Sequence, residues 1–241
     1  MTGGTIKTIG VLGGMSWESS LEWYRLANER VRAHLGGHHS APVLLDSLDF
    51  AEIEALQAAD DWDAAGALLA EHARRLERGG ADLIVLCTNT MHLVADRIAD
   101  AVDIPFLHIA ETTADAIGAA GLRRVGLLGT AFTMERPFYR ERLEARGLEV
   151  LVPDAEDRAG VHAVIYDELV HGVIRPESRD LYRRVIERLV ARGAEGIILG
   201  CTEIELLVSE GDAPVPVFPT TALHVDAALV AAGLQGSERT A

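Results

Sequence analysis

The sequence predicts an α/β protein built from two similar Rossmann-like α/β domains. They are related by a pseudo-twofold axis, and the active site is expected in the cleft between them. Three observations predict this. Short apolar runs alternate with amphipathic segments along the 241 residues, which is the rhythm of strand and helix in α/β folds. The apolar runs are rich in Val, Ile and Leu without polar alternation, as in strands covered on both faces of a parallel sheet. Three blocks then recur in the same order, 111 to 116 residues apart.

The candidate strands, in order, are Thr8–Leu12, Val43–Ser47, Leu83–Cys87, Phe106–His108, Val125–Leu128, Val150–Val152, Ile197–Leu199 and Val217–Phe218. Between them, Asp61–Arg78 places Ala65, Leu68, Leu69, His72 and Leu76 on one helical face, and Ser178–Arg192 does the same with Leu181, Val185, Leu189 and Val190. The recurring blocks are Gly10-Val11-Leu12-Gly13 with Gly126-Leu127-Leu128-Gly129, the runs ending in Cys87-Thr88 and Cys201-Thr202, and Ile104-Pro105-Phe106 with Val215-Pro216-Val217. The repeat sets the expected domains: residues 1–117 carrying Cys87, with the C-terminal helix packed on them, residues 118–233 carrying Cys201, and a frayed tail over 234–241. The period is too long for a solenoid.

Composition narrows the function. Lys plus Arg total 22 against 37 Asp plus Glu, a net charge of −15. Such a surface repels nucleic acid and anionic lipid, whose binding needs a basic patch. The first residues lack the cationic and apolar segments of a signal peptide, and no stretch is long and apolar enough to span a membrane. A cytoplasmic protein with two reduced cysteines is expected. Lys7 is the single lysine, so neither a pyridoxal-phosphate Schiff base nor a P-loop has a suitable residue; no metal site is expected either.

The two cysteines, Cys87 and Cys201, are expected at the same place in the two halves: each ends an apolar strand and is followed by Thr and a helical pattern. Ligands of open α/β sheets bind beyond the carboxyl ends of strands. A helix N-terminus there is expected to lower the thiol pKa. Two thiols converging on one carbon from opposite sides suit racemisation: a base removes the Cα proton from one face while an acid returns one to the other. A free thiol titrates near pH ~8.5, within tuning range of neutrality. An isolated cysteine is more often a small buried hydrophobe; the duplication favours chemistry.

Thr88, Asn89 and Thr90 follow Cys87, and Thr202 and Glu203 follow Cys201. Amides and hydroxyls at a helix start can hold a substrate carboxylate, and Glu203 can accept from a substrate ammonium; ordinary helix capping is the competing role. Thr130 and Thr133 are candidates for the same cleft or for a cap. Met15 and Ser16 close the Gly10–Ser16 glycine loop, which lacks the spacing of a dinucleotide fingerprint. His34, His38 and His39 sit in a Gly-rich surface turn, His72 has core-like spacing, and His92, five residues after Cys87, is placed to support the chemistry indirectly.

The motifs Gly13-Gly14-Met15-Ser16-Trp17-Glu18-Ser19, Cys87-Thr88-Asn89-Thr90-Met91-His92 and Gly200-Cys201-Thr202-Glu203-Ile204 resemble the aspartate/glutamate racemase family over nearly the whole chain. The resemblance implies two α/β domains, no cofactor and a homodimer. It makes Cys87 and Cys201 the acid/base pair and Thr88, Asn89 and Thr90 binders of the amino-acid substrate; Met15, Ser16, Thr130, Thr133, Thr202 and Glu203 are candidates for the same site from their positions alone. Gly-Cys-Thr-Glu is similar to the aspartate racemase branch, and the Met-Ser-Trp-Glu-Ser loop to its broad-specificity relatives. Aspartate racemases of the family carry Arg after the second strand and Lys near the position of Val170. Here Ser47-Leu48-Asp49 and Val170 stand there, which points to a neutral or small polar side chain such as that of homoserine. The competing readings are an aspartate or glutamate racemase, a related hydantoin racemase or maleate isomerase, and a non-catalytic amino-acid-binding regulatory protein.

Overall fold

The protein is described by a computed structural model over residues 6–234. Unit 1 runs through His108 and resumes at His224; unit 2 is Ile109–Leu223. Unit 1 contains β1 (Ile9–Gly13), α1 (Trp17–Leu35), β2 (Val43–Ser47), α2 (Phe50–Ala58), α3 (Trp62–Arg78), β3 (Leu83–Leu86), α4 (Ala95–Ala99) and β4 (Phe106–Leu107). Unit 2 contains α5 (Ile109–Ala119), β5 (Arg124–Gly129), α6 (Ala131–Glu135), α7 (Pro137–Ala145), β6 (Glu149–Leu151), α8 (Ala155–Asp167), α9 (Pro176–Ala191), β7 (Gly196–Gly200), α10 (Thr202–Leu207) and β8 (Val217–Pro219). The last helix, α11 (Thr220–Ala231), begins in unit 2 and ends in unit 1.

Each unit holds one four-stranded parallel sheet, ordered β2-β1-β3-β4 and β6-β5-β7-β8. The two orders are the same, so the sequence repeat is a repeat of topology. All eight expected strands are present within two residues of their expected bounds. The repeated glycine of each first strand has the same cause: a Cβ on Gly10 would lie 2.8 Å from the Ala81 Cβ, and one on Gly126 2.8 Å from the Ile197 Cδ1.

The period-2 alternation of side chains divides each sheet between two apolar layers. In unit 1, Ile9, Val11, Leu83 and Val85 pack with Trp23 and Val31 of α1 and Val225 and Leu229 of α11. Leu12, Ile84 and Leu86 face Ile53 of α2 and Leu69 and Leu76 of α3. In unit 2, Val125, Leu127 and Ile198 pack with α5 and α7, and Leu128, Ile197 and Leu199 with α8 and α9.

The division falls after His108 rather than after residue 117. The helix α5, placed by the repeat in the first half, buries Ile109, Ala110, Ala114 and Ile117 against Val125, Leu127 and Ile198 of unit 2. The second half ends at Leu223, and the C-terminal helix, expected to lie on the first half, places Val225, Ala228, Leu229 and Ala232 in a layer of unit 1. Of the expected frayed tail, Leu234 is half-buried against that layer, with its N–H donated to the Leu229 carbonyl; residues 235–241 lie outside the described residues. Among the described residues, no helix is long and apolar enough to cross a membrane.

Candidate functional site

In unit 1, β1 ends in Gly13 and Gly14. Gly14 has φ +89°, and a Cβ there would stand 2.1 Å from the Leu48 carbonyl oxygen, so only glycine fits the turn. The Gly14 N–H donates to Ser20 Oγ at 2.8 Å. Ser16 is the N-cap of α1, its hydroxyl accepting from the Ser19 N–H at 3.3 Å, and the Met15 side chain is buried among Leu48, Ile53 and their neighbours.

Cys87 follows β3 directly, and its N–H continues the ladder to the Leu12 carbonyl at 2.9 Å. Thr88 is half-buried, Asn89 and Thr90 are buried, and a 3-10 turn runs from Thr90 to Val94. His92 closes this stretch twice. Its backbone N–H donates to the Asn89 carbonyl at 3.2 Å, and its ring Nδ1 lies 2.7 Å from the Thr88 carbonyl oxygen.

In unit 2, Cys201 is the N-cap residue of α10. Its thiol donates to Glu203 Oε2 at 2.9 Å. Both residues are buried. Thr202 accepts from the Thr221 hydroxyl at 3.2 Å. Thr130 is the N-cap of α6, accepting from the Thr133 N–H at 3.3 Å, and Thr133 is fully buried. Tyr182 packs in the same apolar layer as Cys201 and donates its hydroxyl to the Val161 carbonyl at 3.1 Å.

The cysteines do not occupy equivalent stations. Leu128 pairs with Leu199 as Leu12 pairs with Leu86. The residue after Leu86 is Cys87, whereas the residue after Leu199 is Gly200, with Cys201 one further on. One inserted residue turns a side chain to the other face of a sheet. Accordingly Cys87 joins the layer of α1 and α11, while Cys201 joins that of α8 and α9, the helices leading into β7.

The expected lowering of the thiol pKa is reversed. Burial pushes the Cys87 thiol up. Burial, then the Glu203 carboxylate, pushes the Cys201 thiol well up. The Glu203 and Ile204 amides at the start of α10 do favour the Cys201 thiolate, as a helix N-terminus should, but they are outweighed. Behind Cys87 there is no helix start, only irregular backbone before the 3-10 turn.

Glu203, a candidate acceptor for a substrate ammonium, accepts the Cys201 thiol hydrogen. The extra Gly200 was visible in the repeat and carried the non-equivalence. His108 and His224, buried beside His92, carried no signal, because nothing local in the sequence brings positions 92, 108 and 224 together. His34, His38 and His39 are exposed, and among the described residues no cluster of three His, Cys, Asp or Glu side chains is arranged to hold a metal.

The fold and these strand-end cysteines define a class, the duplicated α/β proteins with a thiol after the third strand of each sheet. The chain belongs to the Asp/Glu/Hydantoin racemase family, whose model matches residues 12–228, and it is by that membership an isomerase of the racemase type. It is 26% identical over 166 residues to the broad specificity amino-acid racemase RacX of Bacillus subtilis, covering 67% of this chain and 70% of that one. Among solved structures it is similar to a Yersinia pestis protein described as a candidate Asp/Glu racemase, with 55% identity, a TM-score of 0.89, and 95% and 100% of the two chains covered. An aspartate racemase homologue from Pyrococcus horikoshii is 34% identical with a TM-score of 0.84, covering 94% and 99%.

Proposed function

We propose that the chain is a cofactor-independent amino-acid racemase in which Cys87 and Cys201 serve opposite faces of one substrate Cα. One observation carries the reading. The two cysteines of the sequence each follow the third strand of a sheet of the same order, at the strand ends where α/β proteins take their ligands. A thiolate removes the α-proton, the electron pair is held by the substrate carboxylate system, and the other thiol supplies a proton from the opposite face. Turnover leaves thiol and thiolate exchanged, ready for the reverse reaction.

The surroundings of the thiols support a division of labour. Glu203 accepts the Cys201 S–H bond, and burial and the Glu203 charge together hold that thiol protonated, which suits Cys201 to begin as the acid. Burial alone raises Cys87, without the added penalty of a neighbouring carboxylate, which suits it to begin as the base. The test is α-proton exchange in D2O, offering each enantiomer separately to Cys87→Ser and Cys201→Ser. Each variant is expected to lose net racemisation while exchanging deuterium into one enantiomer, the two variants choosing opposite ones. Full racemisation by either variant would end the two-thiol reading.

The substrate reading follows from what stands where relatives carry cations. Leu48 is buried with its N–H on the Gly13 carbonyl, Val170 is apolar, and Arg175 is exposed and lies 3.7 Å from Glu168. An unpaired buried side-chain carboxylate costs several kcal/mol. Homoserine and methionine are therefore expected to be turned over with higher kcat/KM than aspartate or glutamate. An aspartate preference of about tenfold or more, equivalent to ~1.4 kcal/mol, would reverse this assignment.

A further inference from the structure

The buried histidines of unit 1 form one cluster, and the cluster touches the turn that carries Cys87. His92 is 2% exposed, His108 5% and His224 0%. The His92 ring centroid lies 4.5 Å from that of His108, 5.7 Å from that of Phe106 and 6.1 Å from that of His224. His224 is itself fixed, with Nε2 3.0 Å from the Leu107 carbonyl oxygen. A carbonyl oxygen only accepts, so the 2.7 Å contact between His92 Nδ1 and the Thr88 carbonyl puts the proton on Nδ1.

We propose that His92 is a positioning residue for Cys87: its Nδ1–H, donated to the Thr88 carbonyl, holds the turn that carries the thiol, and the rings of His108 and His224 hold His92 in place. This rests on Cys87 being an acid/base thiol, and it adds how that thiol is held. The duplicated half shows why such a device is needed. Cys201 is anchored by the first turn of α10 and by Glu203. Cys87 has neither, and between it and the Thr90–Val94 turn lie only Thr88 and Asn89. The position five residues after Cys201 is Leu206, which is 46% exposed. Three imidazoles buried side by side also cost desolvation that apolar residues of similar volume would avoid, so their presence calls for a polar task.

The experiment compares His92→Asn, His92→Gln and His92→Phe. The Asn amide nitrogen can stand where Nδ1 stands, the Gln amide is displaced by one bond, and Phe has no donor. The first readout is the rate of iodoacetamide alkylation at each cysteine, resolved by peptide mapping. Loosening the turn is expected to raise the Cys87 rate about tenfold in the Gln and Phe variants, the scale of one lost hydrogen bond, with Cys201 unchanged and His92→Asn close to wild type. The second readout is α-deuteration of each homoserine enantiomer. Exchange into the enantiomer that Cys201→Ser still labels should fall in the Gln and Phe variants and be retained in Asn. A change shared equally by both cysteines, no change at either, or Asn behaving like Gln would overturn the proposal. If Phe fails to fold, the Asn and Gln pair still decides. Alkylation needs no substrate, so the absence of exchange with any amino acid would count against the racemase reading while leaving His92 tested.

Discussion

Glu203 and Cys201 show how much of the site rests on one residue's charge. The carboxylate accepts the thiol proton at 2.9 Å inside the protein, and after burial it is the largest influence raising that thiol. Replacing it with Gln keeps an acceptor oxygen for the S–H and removes the charge. Glu203→Gln in a Cys87→Ser background is therefore expected to bring Cys201 ionisation to lower pH, read by thiolate ultraviolet absorbance, and to speed deuteration by Cys201 at neutral pH because more of the thiol is ionised. A titration that stays in place or moves up would contradict the geometry. The residue types of this site were legible in the sequence: two cysteines, each with Thr after it, and an acid at position 203. The partner of that acid was not, because adjacency along the chain does not say which of two nearby groups a flexible carboxylate will meet. The offset between Cys87 and Cys201 was legible as the extra Gly200, and its consequence follows from the two-residue period of a strand.

At the level of elements, the sequence was most readable where apolar runs were long. Strand β3 carries four successive apolar residues, β7 five apolar or small ones, and β2 three before Asp46 and Ser47, and their positions followed directly. The glycine loop and the threonines were less readable, since a hydroxyl at a helix start can serve substrate or backbone. Thr130 caps α6, and the hydroxyls of Thr130 and Thr133 lie 3.2 Å apart. Thr130→Ala is expected to lower stability by about 1 kcal/mol, the usual worth of an N-cap, and Thr130→Ser to restore it. Urea unfolding of the two variants measures this. If Thr130 is a cap alone, KM for homoserine stays within about twofold in both variants; a large rise in KM for Thr130→Ala without loss of stability would instead assign it to the substrate.

At the scale of the molecule, two units and a C-terminal helix lying on the first were expected from the sequence, whereas the division after His108 was not. A repeat marks equivalent blocks, whereas a boundary depends on which core a helix buries, and α5 and the end of α11 each go with the unit whose layer they complete. The chain leaves unit 1 after His108 and returns at His224, so the acid stability of unit 1 depends on a residue at one of these passages. His224 is fully buried, and burial pushes its pKa down to about 4 from its ordinary value of 6.5. The groups nearest its ring include the Leu107 carbonyl, which favours the proton but is outweighed, and His92. Above pH 6.5 the ring is neutral in both folded and unfolded chains and contributes no pH dependence. Between 6.5 and about 4 the unfolded chain binds a proton that the folded one refuses, so stability falls as pH falls, by roughly 1.4 kcal/mol per unit. At pH 5 this amounts to about 2 kcal/mol. Because two units need not unfold together, the quantity to measure is the opening free energy of β1 and β3 amides by hydrogen exchange at pH 7 and pH 5. His224→Gln keeps a donor near Nε2 and cannot titrate. Its unit 1 is expected to lose about 2 kcal/mol less than wild type over that interval, with β5 and β7 of unit 2 indifferent to the substitution. Equal losses in the two proteins would mean that some other group governs the acid sensitivity of unit 1.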